Sequence, residues 1–334
     1  MKYEMEDEMT TWGRSVGTRL SAITSLAVLM LLPLLTAGCG RAVEEGKWVI
    51  GFSQVTVKEP WRVVFNEKLR EKARSYGGRV ELIMLDADDK TENQVEHIRV
   101  FISKQVDAIL ISPKEASGCS KAIEEATEAG IPVIVLDRDT TYKGYAAFVG
   151  ASNMVIGRAA GEYAVHLLGG PGSAEGKIYE ICGSLASTPA QERRDGFHEV
   201  VEREPGIRIL GGLDGDWKLD RGKAIAQDAL QVHRDIDIIY AHNDPMAYGA
   251  YQAAREQGVE DRIHFLGIDA LPEEGCIWVR NGILAATFLY PTPGEEGLEI
   301  ALGVLEGSRE ISPGERITLP TATVTSENVE DFLK

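Results

Sequence analysis

Residues 131–139 read IPVIVLDRD, an apolar and β-branched run that stops abruptly at Asp137 and Arg138. A strand that is apolar on both faces is typical of a parallel sheet covered by helices on both sides. Similar runs occur on either side of it, DAILIS at 107–112 and DIIYAHND at 237–244. Segments with a helical pattern of apolar residues separate these runs, so the sequence predicts repeated β-α-β units.

Ten such runs are predicted to be strands. They span 48–53, 80–85, 107–112, 132–137, 146–150, 177–182, 207–212, 237–242, 264–269 and 283–289. Helices are predicted between them, for example at Trp61–Tyr76, Thr91–Lys104, Ser120–Gly130 and Asn153–Leu168. Ten strands are many for one sheet, and the length of the chain suits about two domains. We therefore predict two α/β lobes, with a boundary near Gly150–Asn153.

The N-terminal segment has the order of a secretory signal. Residues 20–35 read LSAITSLAVLMLLPLL, with Arg14 and Arg19 before them and small residues after them. This basic, apolar, small order predicts a signal peptide over residues 1–38 and an exported protein. The acidic opening MKYEMEDE does not fit a signal, so Met9 is the better start.

The signal segment ends in LTAGC at Cys39 and resembles a lipobox, in which the cysteine is lipidated and becomes the new N-terminus. Thr36 stands where a lipobox usually has an aliphatic residue, so a plain cleaved signal with an incidental cysteine stays an alternative. We expect Cys39 to anchor the protein to the membrane and residues 39–46 to form a linker.

The other cysteines and the charge exclude some classes of function. Cys119, Cys182 and Cys276 fit no zinc spacing, and an odd number leaves at least one free thiol. The formal net charge is −17, which argues against a nucleic-acid surface. We expect no metal and no cofactor, and a monomer.

Polar residues follow several predicted strands. They are Ser53 with Trp61 and Arg62, Asp137 with Arg138, Asn243, and Asp269. Ligands of open α/β sheets bind at the carboxyl ends of the strands. Carboxylate acceptors beside guanidinium and amide donors suit sugar hydroxyl groups, which both donate and accept, and an indole can pack on the C–H face of a sugar ring.

Each of these residues also has a structural interpretation. Asp137 and Arg138 could form an exposed ion pair, Asn243 and Asp269 could cap helices, and Trp61 could belong to the core. Their matched chemistry at four strand ends favours a binding site.

Several motifs in order resemble the type I sugar-binding proteins of ABC transporters, the ribose- and galactose-binding family, and above all its galactofuranose-binding branch. They are GFSQV, PWR, TENQ, VDAILISP, IPVIVLDRD, QERRDGF, GDW, IIYAHNDPMAYGA and GID. The likeness runs from about Lys47 to the C-terminus. It implies two Rossmann-like lobes with parallel sheets, joined by three crossover segments near 150–153, 289–293 and 317–320. The N-terminal lobe would comprise 47–151 plus 291–316, and the C-terminal lobe 152–290 plus 317–334.

The resemblance also implies roles for individual residues. By this likeness Asp137, Arg138, Arg193, Asn243 and Asp269 hold sugar hydroxyl groups. Trp61 and Trp217 correspond to aromatic stacking residues of the family, Arg62 is as in the galactofuranose branch, and Ser53 is a weaker candidate. Tyr290 lies at a crossover where the family usually has Gln or Glu, which bears on the identity of the sugar. From the sequence alone Arg193 would pass for a helix-surface residue, and a buried packing residue is the alternative interpretation of Trp217.

The resemblance implies a protein that binds a monosaccharide, closes by a hinge and delivers the sugar to an ABC transporter permease. An extracellular sugar sensor that signals to a membrane chemoreceptor or kinase is the alternative. A repressor of the same fold would need an N-terminal helix-turn-helix, where this chain has the signal segment. We expect no enzyme, because GxGxxG after the first strand, a P-loop and GxSxG are all missing and His242 has no evident nucleophile partner.

Overall fold

The structure, a computed structural model, describes residues 46–333. The predicted signal peptide, the Met9 start, the Cys39 lipidation site and the linker up to residue 45 lie outside the described residues.

The described chain forms two six-stranded sheets. Its strands are β1 (Trp48–Gln54), β2 (Val80–Asp86), β3 (Ala108–Ile111), β4 (Val133–Leu136), β5 (Ala147–Ala151), β6 (Glu175–Cys182), β7 (Gly206–Asp214), β8 (Ile238–Ala241), β9 (His264–Leu266), β10 (Ala286–Phe288), β11 (Glu315–Leu319) and β12 (Thr323–Thr325). The first sheet has the order β11-β5-β4-β3-β1-β2, and the second has the order β12-β10-β9-β8-β6-β7. All pairs are parallel except β10 with β12. The predicted two-lobed α/β fold is therefore confirmed.

Helices cover the sheets. They are α1 (Pro60–Ser75), α2 (Thr91–Ser103), α3 (Ser120–Glu128), α4 (Asn153–Leu167), α5 (Thr188–Val201), α6 (Leu219–Val232), α7 (Asp244–Glu256), α8 (Gly275–Arg280) and α9 (Gly294–Leu305). Prolines in the first turns of α1, α5 and α7 suit the fixed φ of a helix start. Ser152 caps α4 by accepting a hydrogen bond from the main-chain N–H of Val155.

Within residues 46–333 the chain passes between the sheets three times. Two of these passages follow β5 and β10. The third prediction needs correction, because residues 317–319 belong to β11 and pair with Val149–Ala151 of β5 in the first sheet. The chain changes sheets at residues 320–322, so the first lobe extends to Leu319 and not to residue 316.

Cys119, Cys182 and Cys276 are all buried and unbonded to one another. No helix among residues 46–333 combines the length and hydrophobicity that a membrane span requires.

Candidate functional site

A cavity of about 400 Å³, measured with its opening to solvent, lies between the carboxyl ends of the two sheets. It is lined by Glu59, Pro60, Trp61, Arg62, Asp137, Arg138, Pro189, Arg193, Trp217, Asn243, Pro245, Asp269 and Tyr290. Nine of the ten residues predicted from the sequence therefore meet at one cavity.

Ser53 is the exception and is corrected here. It is fully buried inside β1, and its hydroxyl is 3.0 Å from Nδ1 of His97 on α2. Side chains alternate between the two faces of a strand, so a residue near the carboxyl end can still point away from the ligand edge.

Sequence reasoning missed four lining residues, namely Glu59 and the prolines Pro60, Pro189 and Pro245. Each proline stands in the first turn of a helix that follows a strand. A proline a few residues beyond a predicted strand was therefore the available signal, since the helix starts of this fold surround the cavity.

Asp137 is the centre of a buried network on the first lobe. Its Oδ2 accepts hydrogen bonds from Nη2 of Arg62 at 3.1 Å and from Oγ of Ser112 at 2.8 Å. Its Oδ1 accepts a hydrogen bond from the hydroxyl of Tyr290 at 2.6 Å. Burial alone would raise the pKa of Asp137, but Arg62, Arg138 and these hydrogen bonds outweigh it and hold the pKa below its ordinary value.

Arg193 reaches the cavity from α5 and is only 2% exposed, so it is not a surface residue. Its Nε donates to Oδ1 of Asn153 at 2.8 Å, and its Nη1 donates to the main-chain oxygen of His242. The guanidinium carbon lies 4.4 Å from the ring centroid of Tyr290 and 5.5 Å from that of Trp217. Its position is therefore fixed before any ligand enters.

The guanidinium carbon of Arg138 lies over the Trp217 ring, 5.3 Å from its centroid, and Nη1 of Arg138 donates to the main-chain oxygen of Lys114 at 3.2 Å. Burial and the like charge of Arg62 lower the pKa of Arg138. Its Nε lies 3.8 Å from Oδ2 of Asp137, and the guanidinium group makes no other hydrogen bond within the described residues, which leaves donors at the cavity.

Asp269 has the opposite environment to Asp137. No hydrogen bond to its carboxylate occurs within residues 46–333, and the side chain, only 7% exposed, faces the cavity. Burial raises the pKa of Asp269 well above its ordinary value, and the negative charge of Asp244 adds to this, while Arg193 opposes it. A buried carboxylate without partners costs free energy that a ligand hydroxyl group would relieve.

Asn243 serves both the fold and the cavity. Its Oδ1 caps α7 by accepting from the main-chain N–H of Met246 at 3.0 Å, and its Nδ2 donates to the main-chain oxygen of Trp217 at 3.0 Å. The structural interpretation of Asn243 as a cap is thus correct, and it lines the cavity as well. The indole N–H of Trp217 is buried without a partner among the described residues.

Three lining residues have a positive φ, namely Asp137 at 63°, Trp217 at 64° and Asp269 at 131°. Such backbone conformations cost free energy outside glycine and occur most often where a ligand is held.

A second polar cluster lies behind Arg193. Glu180, Cys182 and His242 place potential metal-ligand atoms within 4.8 Å of one another. The two oxygens of Glu180 are already paired, with Nε2 of His242 at 2.9 Å and Nε2 of His198 at 3.1 Å. Burial alone would raise the pKa of Glu180, but the two imidazoles outweigh the effect of burial and lower this pKa to about 2. The cluster therefore supports the strand end that carries the main-chain oxygen of His242.

The two lobes are in direct contact at the rim of the cavity. The main-chain N–H of Ala116 donates to the oxygen of Ala186 at 3.1 Å, and the N–H of Asp139 donates to Oγ1 of Thr188 at 2.9 Å. The structure is thus a closed arrangement of the two lobes.

Comparison with known proteins agrees with this geometry. The model of the periplasmic binding protein domain matches residues 50–309. The chain belongs to this family. It is 30% identical over 253 residues to the galactofuranose-binding protein YtfQ of Escherichia coli, covering 73% of this chain and 78% of that protein. It is 27% identical to the ribose import binding protein RbsB of Bacillus subtilis, covering 87% and 94%.

Among solved structures, the fructose-binding periplasmic domain of a hybrid two-component system has a TM-score of 0.80 with 36% identity, over 86% of this chain and 93% of that one. All three relatives are named for binding a sugar, and the family resemblance seen in the sequence is confirmed.

Proposed function

We propose that this protein is the substrate-binding component of a sugar ABC importer. It binds one monosaccharide between its lobes, closes around it and presents the closed form to a permease. The observation that carries the proposal is the carboxylate of Asp269, which faces the cavity and accepts no hydrogen bond within residues 46–333, beside the spare donors of Arg138 and Arg193.

The charge of the cavity supports a neutral ligand. Its wall holds three carboxylates, those of Glu59, Asp137 and Asp269, and three guanidinium groups, those of Arg62, Arg138 and Arg193. Acceptors and donors side by side without excess charge suit hydroxyl groups better than a carboxylate or phosphate ligand. The galactofuranose relative makes a galactofuranose-like sugar the first candidate, with other pentoses and hexoses next.

The test is titration calorimetry of the purified protein with D-galactose, L-arabinose, D-ribose and D-fructose, together with mass spectrometry of any copurifying ligand. We expect at least one sugar to bind, and Asp269→Ala to weaken its binding about tenfold or more, because a ligand hydroxyl group loses its carboxylate acceptor. Asp261→Ala, at an exposed site outside the cavity, is the matched control. A folded protein that binds no sugar contradicts the proposal.

A sugar sensor is the second candidate, favoured by the similarity to the periplasmic domain of a two-component system. Cross-linking in the native membrane separates the two: an importer predicts capture of a permease, and a sensor predicts capture of a chemoreceptor or kinase.

We also propose export and anchoring through a lipid on Cys39. If so, Cys39→Ser moves the protein from the membrane fraction to the soluble exported fraction. An unchanged membrane fraction contradicts the anchor.

A further inference from the structure

We propose that Tyr290 determines the specificity of the site, because its hydroxyl group takes the place of one ligand hydroxyl at Asp137. The site then favours a sugar with no hydroxyl group at the position facing Asp137 over a sugar that has one there. This inference rests on the proposed function and narrows its substrate class.

Tyr290 is held firmly at its main chain. It lies on the passage between β10 and α9 and is 4% exposed. Its main-chain oxygen accepts a hydrogen bond from the indole N–H of Trp61 at 2.7 Å, and its N–H donates to the main-chain oxygen of Asp269 at 3.3 Å. The residue therefore has little freedom to move out of the way of a ligand.

The phenol ring is held as well. It stacks on the Trp61 ring with centroids 5.1 Å apart and planes inclined by 26°, and the guanidinium carbon of Arg193 lies 4.4 Å from its centroid. Trp61 belongs to the first lobe and Arg193 to the second, so the ring forms part of the cavity wall between them.

The hydroxyl of Tyr290 uses acceptor capacity that a sugar would otherwise use. It donates to Oδ1 of Asp137 at 2.6 Å, while Nδ2 of Asn153 lies 3.4 Å from it as a donor. With Arg62 and Ser112 on Oδ2, Asp137 already has three partners inside the protein. A carboxylate accepts about four hydrogen bonds, so at most one place is left for a ligand.

Asp269, by contrast, lines the cavity with a carboxylate that accepts no hydrogen bond within residues 46–333, so its acceptor capacity is free for a ligand. The two cavity aspartates are therefore unequal: Asp269 receives ligand hydroxyl groups, and Asp137 serves mainly to hold Arg62, Arg138 and Tyr290. A sugar with an additional hydroxyl group directed at Asp137 meets the phenol instead of an acceptor.

The test compares sugars that differ by one hydroxyl-bearing group. L-arabinose, D-fucose and D-galactose share the configuration of the pyranose ring, and the ring carbon that bears the last substituent carries a hydrogen, a methyl group and a hydroxymethyl group, respectively. D-ribose and 2-deoxy-D-ribose differ by the hydroxyl group at C2 of the ring. Dissociation constants are measured by calorimetry for the wild type, Tyr290→Phe and Tyr290→Leu. Phenylalanine keeps the ring and frees Oδ1 of Asp137, whereas leucine frees Oδ1 and also removes the ring.

In Tyr290→Leu we expect the affinity ratio of at least one pair to shift about tenfold or more toward the sugar with the additional hydroxyl group, since one hydrogen bond to a charged acceptor is gained. Tyr290→Phe should shift the same ratio by less. Tyr163→Phe is the matched control, since it removes a phenol hydroxyl that donates to Ala285 outside the cavity.

If sugars bind but every ratio stays within threefold of the wild type in both Tyr290 variants, Tyr290 does not set specificity. If the wild type binds none of these sugars, the proposed function itself fails. A leucine variant that does not fold leaves the phenylalanine variant to decide.

Discussion

Replacing Asp137 with asparagine tests the idea that this residue holds positive charge together more than it holds ligand. The change keeps the size of the side chain and removes its charge. Arg62 and Arg138 are then left at 2% and 4% exposure with only Glu59, 3.0 Å from Nε of Arg62, as a nearby carboxylate. Breaking a buried ion pair by removing one partner typically costs about 3–5 kcal/mol.

That loss depends on pH in a defined direction. The folded pKa of Asp137 lies below its ordinary value of 3.8, so its stabilisation is complete above that value. It disappears as the pH falls through the lower, folded pKa. Wild type and Asp137→Asn should therefore differ fully at pH 7 and converge only in acid below pH 3.8.

Thermal unfolding followed by circular dichroism measures the effect. For domains of this size about 1 kcal/mol shifts the melting temperature by about 2–4 °C, so a fall of about 6–20 °C is expected at pH 7. Asp269→Asn is the matched control, because its effect on the melting temperature should not be a fall. Its folded pKa is raised, so the ionised form is a cost at pH 7, and its removal should leave the melting temperature unchanged or higher. An Asp137→Asn variant that melts within 2 °C of the wild type, or an equal fall in Asp269→Asn, would refute the reasoning.

Three further changes have distinct expected outcomes. Gly157→Ala places a Cβ atom 2.3 Å from the main-chain oxygen of Arg193, so α4 and α5 must separate; both the melting temperature and the sugar affinity should fall, and normal values in both would contradict the packing. Burial raises the pKa of Asp244 to about 7, so the folded state keeps a proton that the unfolded state releases above its ordinary 3.8. The melting temperature of the wild type should therefore fall as the pH rises from 4 to 7, and that of Asp244→Asn should change less over the same range. An equal fall in the variant would show that another group is responsible. Trp217→Phe removes an indole N–H that has no partner among the described residues and that we expect to donate to the ligand. Sugar affinity should therefore fall about tenfold while the melting temperature changes little. Unchanged affinity in calorimetry would exclude the indole as a ligand donor.

The sequence predicted the central strands well because burial on both faces makes them continuously apolar. β11 and β12 were missed for the opposite reason. β11 reads ERITL with half-buried and exposed residues in alternation, and β12 has only three residues at the end of its sheet. Neither has enough apolar character to differ from a loop, and the error in the third passage between the lobes follows from this.

At the site, residue type and position at a strand end identified the lining, but not how each group is used. Nothing in the sequence distinguishes Asp137 from Asp269, because their different partners come from distant segments such as Arg62 and Tyr290. The prediction for Ser53 was wrong for a related reason, since the face of the strand that meets the cavity depends on how β1 is packed between its neighbours.

The main-chain hydrogen bond between Ala116 and Ala186 has a consequence for the history of such proteins. It joins the lobes through atoms that every amino acid except proline supplies, so substitutions along the cavity leave it in place. Mutation can therefore change the side chains of the cavity wall while this contact between the lobes stays the same. If the protein closes around a sugar as proposed, such a fold can acquire new sugars in small steps and keep the same closed shape.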